Sequence, residues 1–444
     1  MPYKPHPSSD PLLTFSSIDS ISLSQIYSSM YSYYWNEYWL FRFAVMLIGY
    51  GTVALPLAII IIYTRRRYAA NKLEFTSCWH SFLLNFAIGH PEYELVMLGT
   101  GKKSTGNTSG SKRLLDDSAR LMLYFAGLQT TLVSMGFLQE RIITQGYISL
   151  SDHKQIDKFT DTQFLVFCNR IFALILSGIY LFLHWKREPP HVPPFYKHSF
   201  TSISNTLSSW CQYEALKFVS FPTQTVCKAS KVLPTMLMGF VIRGERYSRA
   251  ECASALFLAF GASLFFLANN INNSIRTDHA TTLSGICLMF GYLMFDAFTL
   301  NWQKTLFDTQ PRASKYQMMF GVNAFSTVLC LVSLIEQGTL ISSFTFIISR
   351  HHFARDAFLL SLSGAFGQVV IYMTIERFGP IVFAIMMTVR QILSIALSAF
   401  AYGHPMSPLA ILGLIIAFTA IFSNIYRQYF KNYTVRRRSP LNQS

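Results

Sequence analysis

The chain has 444 residues, of which 51% are hydrophobic and only 13% charged, with 39 Phe and 23 Tyr. A soluble domain carries about 25% charged residues, so this composition excludes an ordinary soluble fold and points to a membrane protein. The formal net charge of +15 sits mainly in short loops and the tail, which makes membrane topology, not nucleic-acid binding, its explanation.

Residues 1–39 are polar, rich in Ser and Tyr, and expected to be poorly ordered. The apolar run over 40–63, closed by Arg65, Arg66 and Arg67, predicts an extra N-terminal transmembrane helix that starts too late for a cleaved signal peptide. Residues 64–118 read as a cytosolic linker containing the Gly/Ser/Lys run GTGKKSTGNTSGSKR. Within it, GTGKKST fails the GxxxxGK[ST] spacing of a phosphate loop. Ten apolar segments follow, at 119–138, 164–183, 199–218, 222–242, 250–269, 283–302, 316–337, 357–376, 380–402 and 407–427. The expected fold is an all-α polytopic membrane protein. Its ten-helix core consists of two inverted five-helix repeats, over 119–269 and 283–427, followed by a basic cytosolic tail over 428–444. No cysteine pair reads as a loop disulfide, and no CxxC or His/Cys cluster suggests a metal site or cofactor.

Loop charge sets the expected orientation. One set of alternate loops and the tail, with Arg120 counted in the linker, holds 24 Lys and Arg; the opposite loops hold six, namely Arg141, Lys154, Lys158, Arg276, Arg350 and Arg355. This asymmetry places the linker and the C-terminus in the cytosol.

The fourth segment carries the residues that need a reason. A spanning helix takes about 20 mostly apolar residues, and a lysine near its centre costs about 2.5 to 3.5 kcal/mol on insertion scales. KASKVLPTML nevertheless places Lys228 and Lys231 there, three apart and therefore on one helical face, with Gln224 one turn earlier. Pro234 removes a backbone donor just beyond and predicts a bend at that depth. The second repeat holds a counterpart. Glu214 precedes Lys228 by 14 residues and Glu376 precedes Arg390 by 14, each pair spanning a proline, Pro222 or Pro380. An odd number of helices per half gives the halves opposite topology, as in many secondary transporters, which bind substrate near the midplane where the repeats meet. Three converging cations repel one another unless an anion joins them. The reading is therefore an anion site at Lys228, Lys231 and Arg390, against the plainer alternative that each pairs with a carboxylate such as Glu214 or Asp296.

The stretches SSWCQYEALKFVSFPTQTVCKASKVLPTMLMG, FDAFTLNWQKTLFDT, KYQMMFGVN and the run from VFAIMMTVRQILSIALS to AYGH resemble the nucleotide-sugar transporter family of the drug/metabolite transporter superfamily. The resemblance covers about Leu121 to Tyr429, and the block from Ser208 to Gly239 is similar to the branch that carries 3′-phosphoadenosine-5′-phosphosulfate (PAPS), the activated sulfate donor. It implies two inverted repeats in a multi-pass Golgi membrane protein, exchange of cytosolic PAPS for a lumenal adenine nucleotide, and phosphate contacts at Lys228, Lys231 and Arg390. Adenine needs a stacking surface and edge hydrogen bonds, for which Tyr213, Tyr372, Asn301, Gln303 and Gln368 are candidates; each is equally suited to an interhelical hydrogen bond. Asp296 and Glu214 are the expected charge partners in the cavity. Arg170, near the start of its helix, is expected to snorkel or pair locally.

The lipid bilayer is the expected surrounding, no nucleic-acid partner is expected, and a homo-oligomer stays open. A related carrier of another nucleotide-sugar is the nearest alternative. A membrane acyltransferase is the remote one, resting on HHFARD, His351 to Asp356, which matches a short HxxxxD pattern without a second motif.

Overall fold

The computed structural model describes residues 39–69, 78–89, 110–144, 146–148, 156–159, 161–191, 193–215, 218–219, 221–271, 283–309, 312–401 and 407–438. The polar stretch over 1–38, the Gly-rich run up to 109 and the last tail residues lie outside them. Met1–Thr52 and Val53–Ser444 form separate units. Of the described residues, the first unit contributes only the beginning of α1, and the second holds every other element.

Helix α1 spans Trp39–Ala69 and α2 Cys78–Ala87. The first five-segment set comprises α3 (Gly110–Thr144), α4 (Thr162–Leu183), α5 (Lys197–Ala215), the pair α6 (Phe221–Ala229) and α7 (Val232–Arg243), and α8 (Arg249–Ile271). The second comprises α9 (Leu283–Phe307), α10 (Lys315–Glu336), α12 (His351–Phe378), α13 (Pro380–Ala401) and α14 (Pro408–Arg438), with a short α11 (Leu340–Ser349) inserted before α12. A two-stranded antiparallel hairpin, β1 (Gly146–Ile148) with β2 (Ile156–Lys158), joins α3 to α4 and sets Tyr147 opposite Asp157.

Four features go beyond the sequence reading. The expected linker contains α2, whose C-terminal turn accepts backbone hydrogen bonds from the loop before α5: Phe195 N–H to Asn85 O and Tyr196 N–H to Phe86 O. The hairpin and α11 are additions to the expected segments. The expected span over 222–242 is two helices, not one, and Pro234 gives the reason. It has no N–H to offer Ser230 O, so Leu233 N–H takes that carbonyl at 3.0 Å, and Lys231 N–H bonds Lys228 O at 3.3 Å in the tighter i→i+3 pattern. The break therefore falls at Ser230 and Lys231.

Among the described residues, seven helices are long and apolar enough to cross a membrane. Helix α5 is not among them, because its sequence KHSFTSISNTLSSWCQYEA is rich in Ser and Thr. These residues are interior: Ser204 Oγ donates to Phe295 O at 2.7 Å and Ser208 Oγ to Tyr292 O at 3.1 Å on α9, and Ser202 Oγ donates to Val322 O at 2.7 Å on α10. Small hydroxylated side chains let helices approach closely within a bilayer and bond across the seam. Glycines do the same where α8 crosses α14. A Cβ on Gly261 would lie 2.6 Å from Ala417 N, and one on Gly413 would lie 2.6 Å from Phe265 N. The outer surface carries large apolar side chains such as Ile59, Phe137, Phe182, Phe257, Phe290 and Phe422, an apolar surface that suits lipid rather than water.

Numbering the ten segments in chain order, with α6–α7 as the fourth and α11 left out, makes the packing orderly. The pairings include one on eight, three on six, two on seven, four on nine and five on ten, while four also packs closely on six. Adding or subtracting five turns the first pair into the second and returns the other three to themselves. A two-fold relation between the halves produces this pattern, consistent with the expected inverted repeats.

Candidate functional site

Lys231 ends up at the break between α6 and α7, as the N-cap residue immediately before α7. Its Nζ lies 2.6 Å from Asp296 Oδ2 on α9 and 5.6 Å from the ring centre of Phe383 on α13. Tyr292, one turn before Asp296, also lies within the electrostatic reach of Lys231. Of the two expected carboxylate partners, geometry selects Asp296. Glu214 is buried near the end of α5.

Lys228 is one turn earlier and close enough to both Arg390 and Lys231 for like-charge repulsion. No carboxylate lies within ion-pair distance of Lys228 or Arg390 among the described residues, and Arg390 Nε is buried without a hydrogen-bond partner. Gln391 Oε1, on the next residue of α13, is likewise unbonded. The structure therefore gathers three cations around one carboxylate, contributed by the fourth segment of each set. Such an arrangement is unfavourable when empty and well suited to an anion. Lysine offers a mobile point charge, and arginine a planar fork for two oxygens.

The fit between α6–α7 and its surroundings has local causes. Gly379 at φ 86° ends α12 and Pro380 opens α13, so the chain turns sharply before the helix bearing Arg390. Thr235 Oγ1 donates to Lys231 O at 2.8 Å, satisfying the carbonyl at the break, and Asn301 Nδ2 donates to Thr235 O at 2.9 Å, tying α9 to α7.

The other expected site residues separate. Gln224 is 2% exposed, and its Nε2 reaches Gln212 O at 3.5 Å on α5. Asn301 also bonds Ala297 O at 2.9 Å and serves the helix contact, although its Oδ1 stays unbonded. Gln303 shares the face of α9 that carries Asp296, seven residues on, and its buried Oε1 is unbonded. Tyr213 is 59% exposed on α5 and is not brought to the others. Gln368 and Tyr372 belong to a second polar group on α12. Gln368 Oε1 accepts from Asn323 Nδ2 at 2.7 Å, and Asn323 Oδ1 accepts from Arg170 Nη1 at 3.5 Å. Arg170 thus corrects the expectation of a local pairing, because it reaches across to α10. The sequence reading placed Arg170 near a helix start and so missed this contact, while the signal for Asn323 was its place in KYQMMFGVN.

At the end where the basic loops gather, a cavity of about 450 Å³ lies among α7, α8, α13 and α14, lined by Arg243, Lys304, Arg377, Tyr247, Met236 and Ile385 among others. It reaches Val232, the residue after Lys231. Its rim is knitted by Arg243 to Glu245 at 2.6 Å and Asp308 at 3.2 Å, by Lys304 to Asp308 at 3.0 Å, and by Lys304 Nζ donating to Glu376 O at 2.8 Å. The opposite end is packed shut by an apolar cluster that includes Ile142, Tyr147, Phe159, Phe164 and Phe353. Tyr147 Oη donates to Asp356 Oδ2 at 3.1 Å; burial and that carboxylate push its phenol up to about 12, so it remains a donor at any physiological pH. Asp356 is also paired with Arg141 at 3.5 Å and Arg355 at 3.2 Å. Asp356 of the HxxxxD pattern is thus a buried structural hub inside a helix. Among the described residues, no group of three or more His, Cys, Asp and Glu gathers in a way that would hold a metal.

Comparison with known proteins gives the family. The model of the UAA transporter family matches residues 120–428. The adenosine 3′-phospho 5′-phosphosulfate transporter 1 of Caenorhabditis elegans is 55% identical over 394 residues, covering 88% of this chain and 92% of that protein. The protein of the same name in Homo sapiens is 39% identical over 399 residues, covering 88% of each. UDP-galactose/UDP-glucose transporter 5 of Arabidopsis thaliana is 34% identical over 303 residues, covering 68% of this chain and 85% of that protein. A polytopic helical bundle with cations gathered between its two halves, matched over most of its length by these carriers, belongs to the UAA transporter family and is a transporter, not an enzyme.

Proposed function

We propose that the protein is a Golgi antiporter that brings PAPS from the cytosol into the lumen for sulfation, in exchange for an adenine nucleotide. The observation that carries this reading is the juxtaposition of Lys228 and Arg390 without a carboxylate for either among the described residues. A nucleotide with two separated anionic groups supplies the missing charge, and relatives at 55% and 39% identity are PAPS carriers by name. Two opposed halves around one site suit alternating access. In this reading Lys228, Lys231 and Arg390 hold an anionic group, Asp296 keeps Lys231 in place when the site is empty, and Gln303, with its open acceptor, faces the adenine edge. The basic loops and the C-terminus lie in the cytosol, so the 450 Å³ cavity is the entrance from that side.

The reading is tested with purified protein in proteoliposomes. PAPS is expected to compete with labelled PAPS at least about tenfold better than UDP- or GDP-sugars, and preloading with an adenine nucleotide is expected to accelerate entry. Uptake indifferent to preloading would argue for a uniporter. Stronger competition by a UDP-sugar would favour the second reading, a nucleotide-sugar carrier, for which the 34% identity to a UDP-galactose/UDP-glucose transporter speaks. On sealed Golgi vesicles, a protease is expected to cleave the tail beyond Arg436 from outside; a protected tail would reverse the orientation.

A further inference from the structure

A second cation lies at membrane depth without a counter-charge. Arg170 is the ninth residue of α4, about 12 Å along the helix at 1.5 Å per residue, and thus well inside the hydrocarbon layer. Its guanidinium has five donors, and the hydrogen bond it makes goes to a neutral amide oxygen, Asn323 Oδ1. No carboxylate pairs with it among the described residues, whereas Lys231, Arg243 and Lys304 each have one. An unpaired charge at that depth is costly and marks a site where an ion or substrate passes.

The surroundings are built to hold the guanidinium in place. Asn323 is fully buried, and its Nδ2 is occupied by Met319 O at 2.7 Å and Gln368 Oε1 at 2.7 Å, so its oxygen is aimed at Arg170. Tyr372, one turn beyond Gln368, lies within the electrostatic reach of Arg170. Gly364 of α12 admits the neighbouring Asn169, since a Cβ there would lie 2.5 Å from Asn169 Oδ1, and this close approach seats α4. This group is separate from the Lys228 cluster but joined to it by packed aromatic residues. Tyr372, Phe307 and Phe383 belong to one cluster, and Phe383 lies beneath Lys231.

We propose that Arg170, held by Asn323 and Gln368, is a second anion-binding position in the transport path, and that it takes the 3′-phosphate of PAPS while the Lys228 cluster takes the 5′-phosphosulfate. This rests on the PAPS reading above. Shape decides the assignment, because the 3′-phosphate and the 5′-phosphosulfate each carry about two negative charges. Lys228, Lys231 and Arg390 less Asp296 leave two positive charges for the longer phosphosulfate, and a single guanidinium fork matches one compact phosphate. The amides of α10 and α12 orient Arg170 from the opposite half, so binding there engages both repeats.

The test compares PAPS with adenosine 5′-phosphosulfate, which lacks only the 3′-phosphate, as competitors of labelled PAPS in proteoliposomes. The wild-type protein is expected to prefer PAPS by roughly 10- to 100-fold, the worth of a charge-assisted contact. Arg170→Gln is expected to weaken PAPS by that factor and leave adenosine 5′-phosphosulfate within about threefold of its wild-type value, so the preference disappears. Arg170→Lys keeps the charge and is expected to retain an intermediate preference; it decides the question should Arg170→Gln fail to accumulate. Equal loss on both compounds, or no loss on either, overturns the second anchor, as does a wild-type protein that does not distinguish the two. Preference of the wild-type protein for a UDP-sugar over both overturns the PAPS reading itself, an outcome visible without any variant.

Discussion

Lys228→Ala is expected to lower PAPS uptake by roughly 10- to 100-fold while the protein accumulates normally and unfolds in detergent at an unchanged or slightly higher temperature. Lys228 has no carboxylate to strand, and it faces Arg390 and Lys231 as a like charge, so its removal relieves repulsion in the empty site. What is lost is the attraction present only when an anion joins the three cations. Arg390→Lys extends the test. It keeps the charge and removes the planar fork, so a loss of similar size would report two-oxygen recognition rather than a diffuse positive field. Surface-corrected uptake together with a thermal unfolding curve separates the two quantities. Normal transport by Lys228→Ala would sink the anion site.

Lys231→Ala is expected to behave differently, because Lys231 is paired. Its removal leaves Asp296 inside the membrane without its cation, and breaking a buried pair on one side costs about 3 to 5 kcal/mol. Asp296 keeps 20% of its side-chain surface open, which reduces the expected loss to about 2 to 3 kcal/mol. The single variant should therefore show both a lower unfolding temperature and a lower protein level. Lys231→Ala combined with Asp296→Asn is expected to restore the level, since a neutral amide remains hydrogen-bond competent at that position, but not the uptake, because one of the three cations is still missing. Restoration of both by the double variant would assign Lys231 a structural role alone. The pair of experiments thus distinguishes the free lysine from the held one, two residues that composition and spacing present as equals.

The rim at the basic end bears on how the site is reached. Arg243, Glu245, Asp308 and Lys304 form a chain of ion pairs that ends on a backbone carbonyl of α12. It links the fourth segment of one half to the first and third segments of the other, above a cavity that reaches Val232. The far end is closed by rings from both halves, with Phe159 and Phe164 from one and Phe353 from the other. Opening that end also parts the buried Asp356 of the second half from Arg141 and Tyr147 of the first, whereas the rim exchanges partners with any anionic solute that enters.

The apolar spans were legible because hydropathy is a local sum and the bilayer measures it directly. The segments read at 164–183, 283–302 and 316–337 became Thr162–Leu183, Leu283–Phe307 and Lys315–Glu336. The cost of Lys228 and Lys231 within such a run was equally local, so a candidate site was visible before any fold. What the chain alone left open was which groups face each other. Asp296 was chosen over Glu214, Tyr213 turned outward, and Arg170 reached Asn323, 153 residues away in the chain. Each of these depends on the rotation of one helix against another across the repeat boundary, and periodicity within a single helix carries no information about that. The break at Lys231 lies between the two cases: Pro234 announced it, and only the competition for the Ser230 carbonyl placed it. Span and charge depth are properties of a segment, while pairing and access are properties of the contact between segments, and only the tertiary structure decides those.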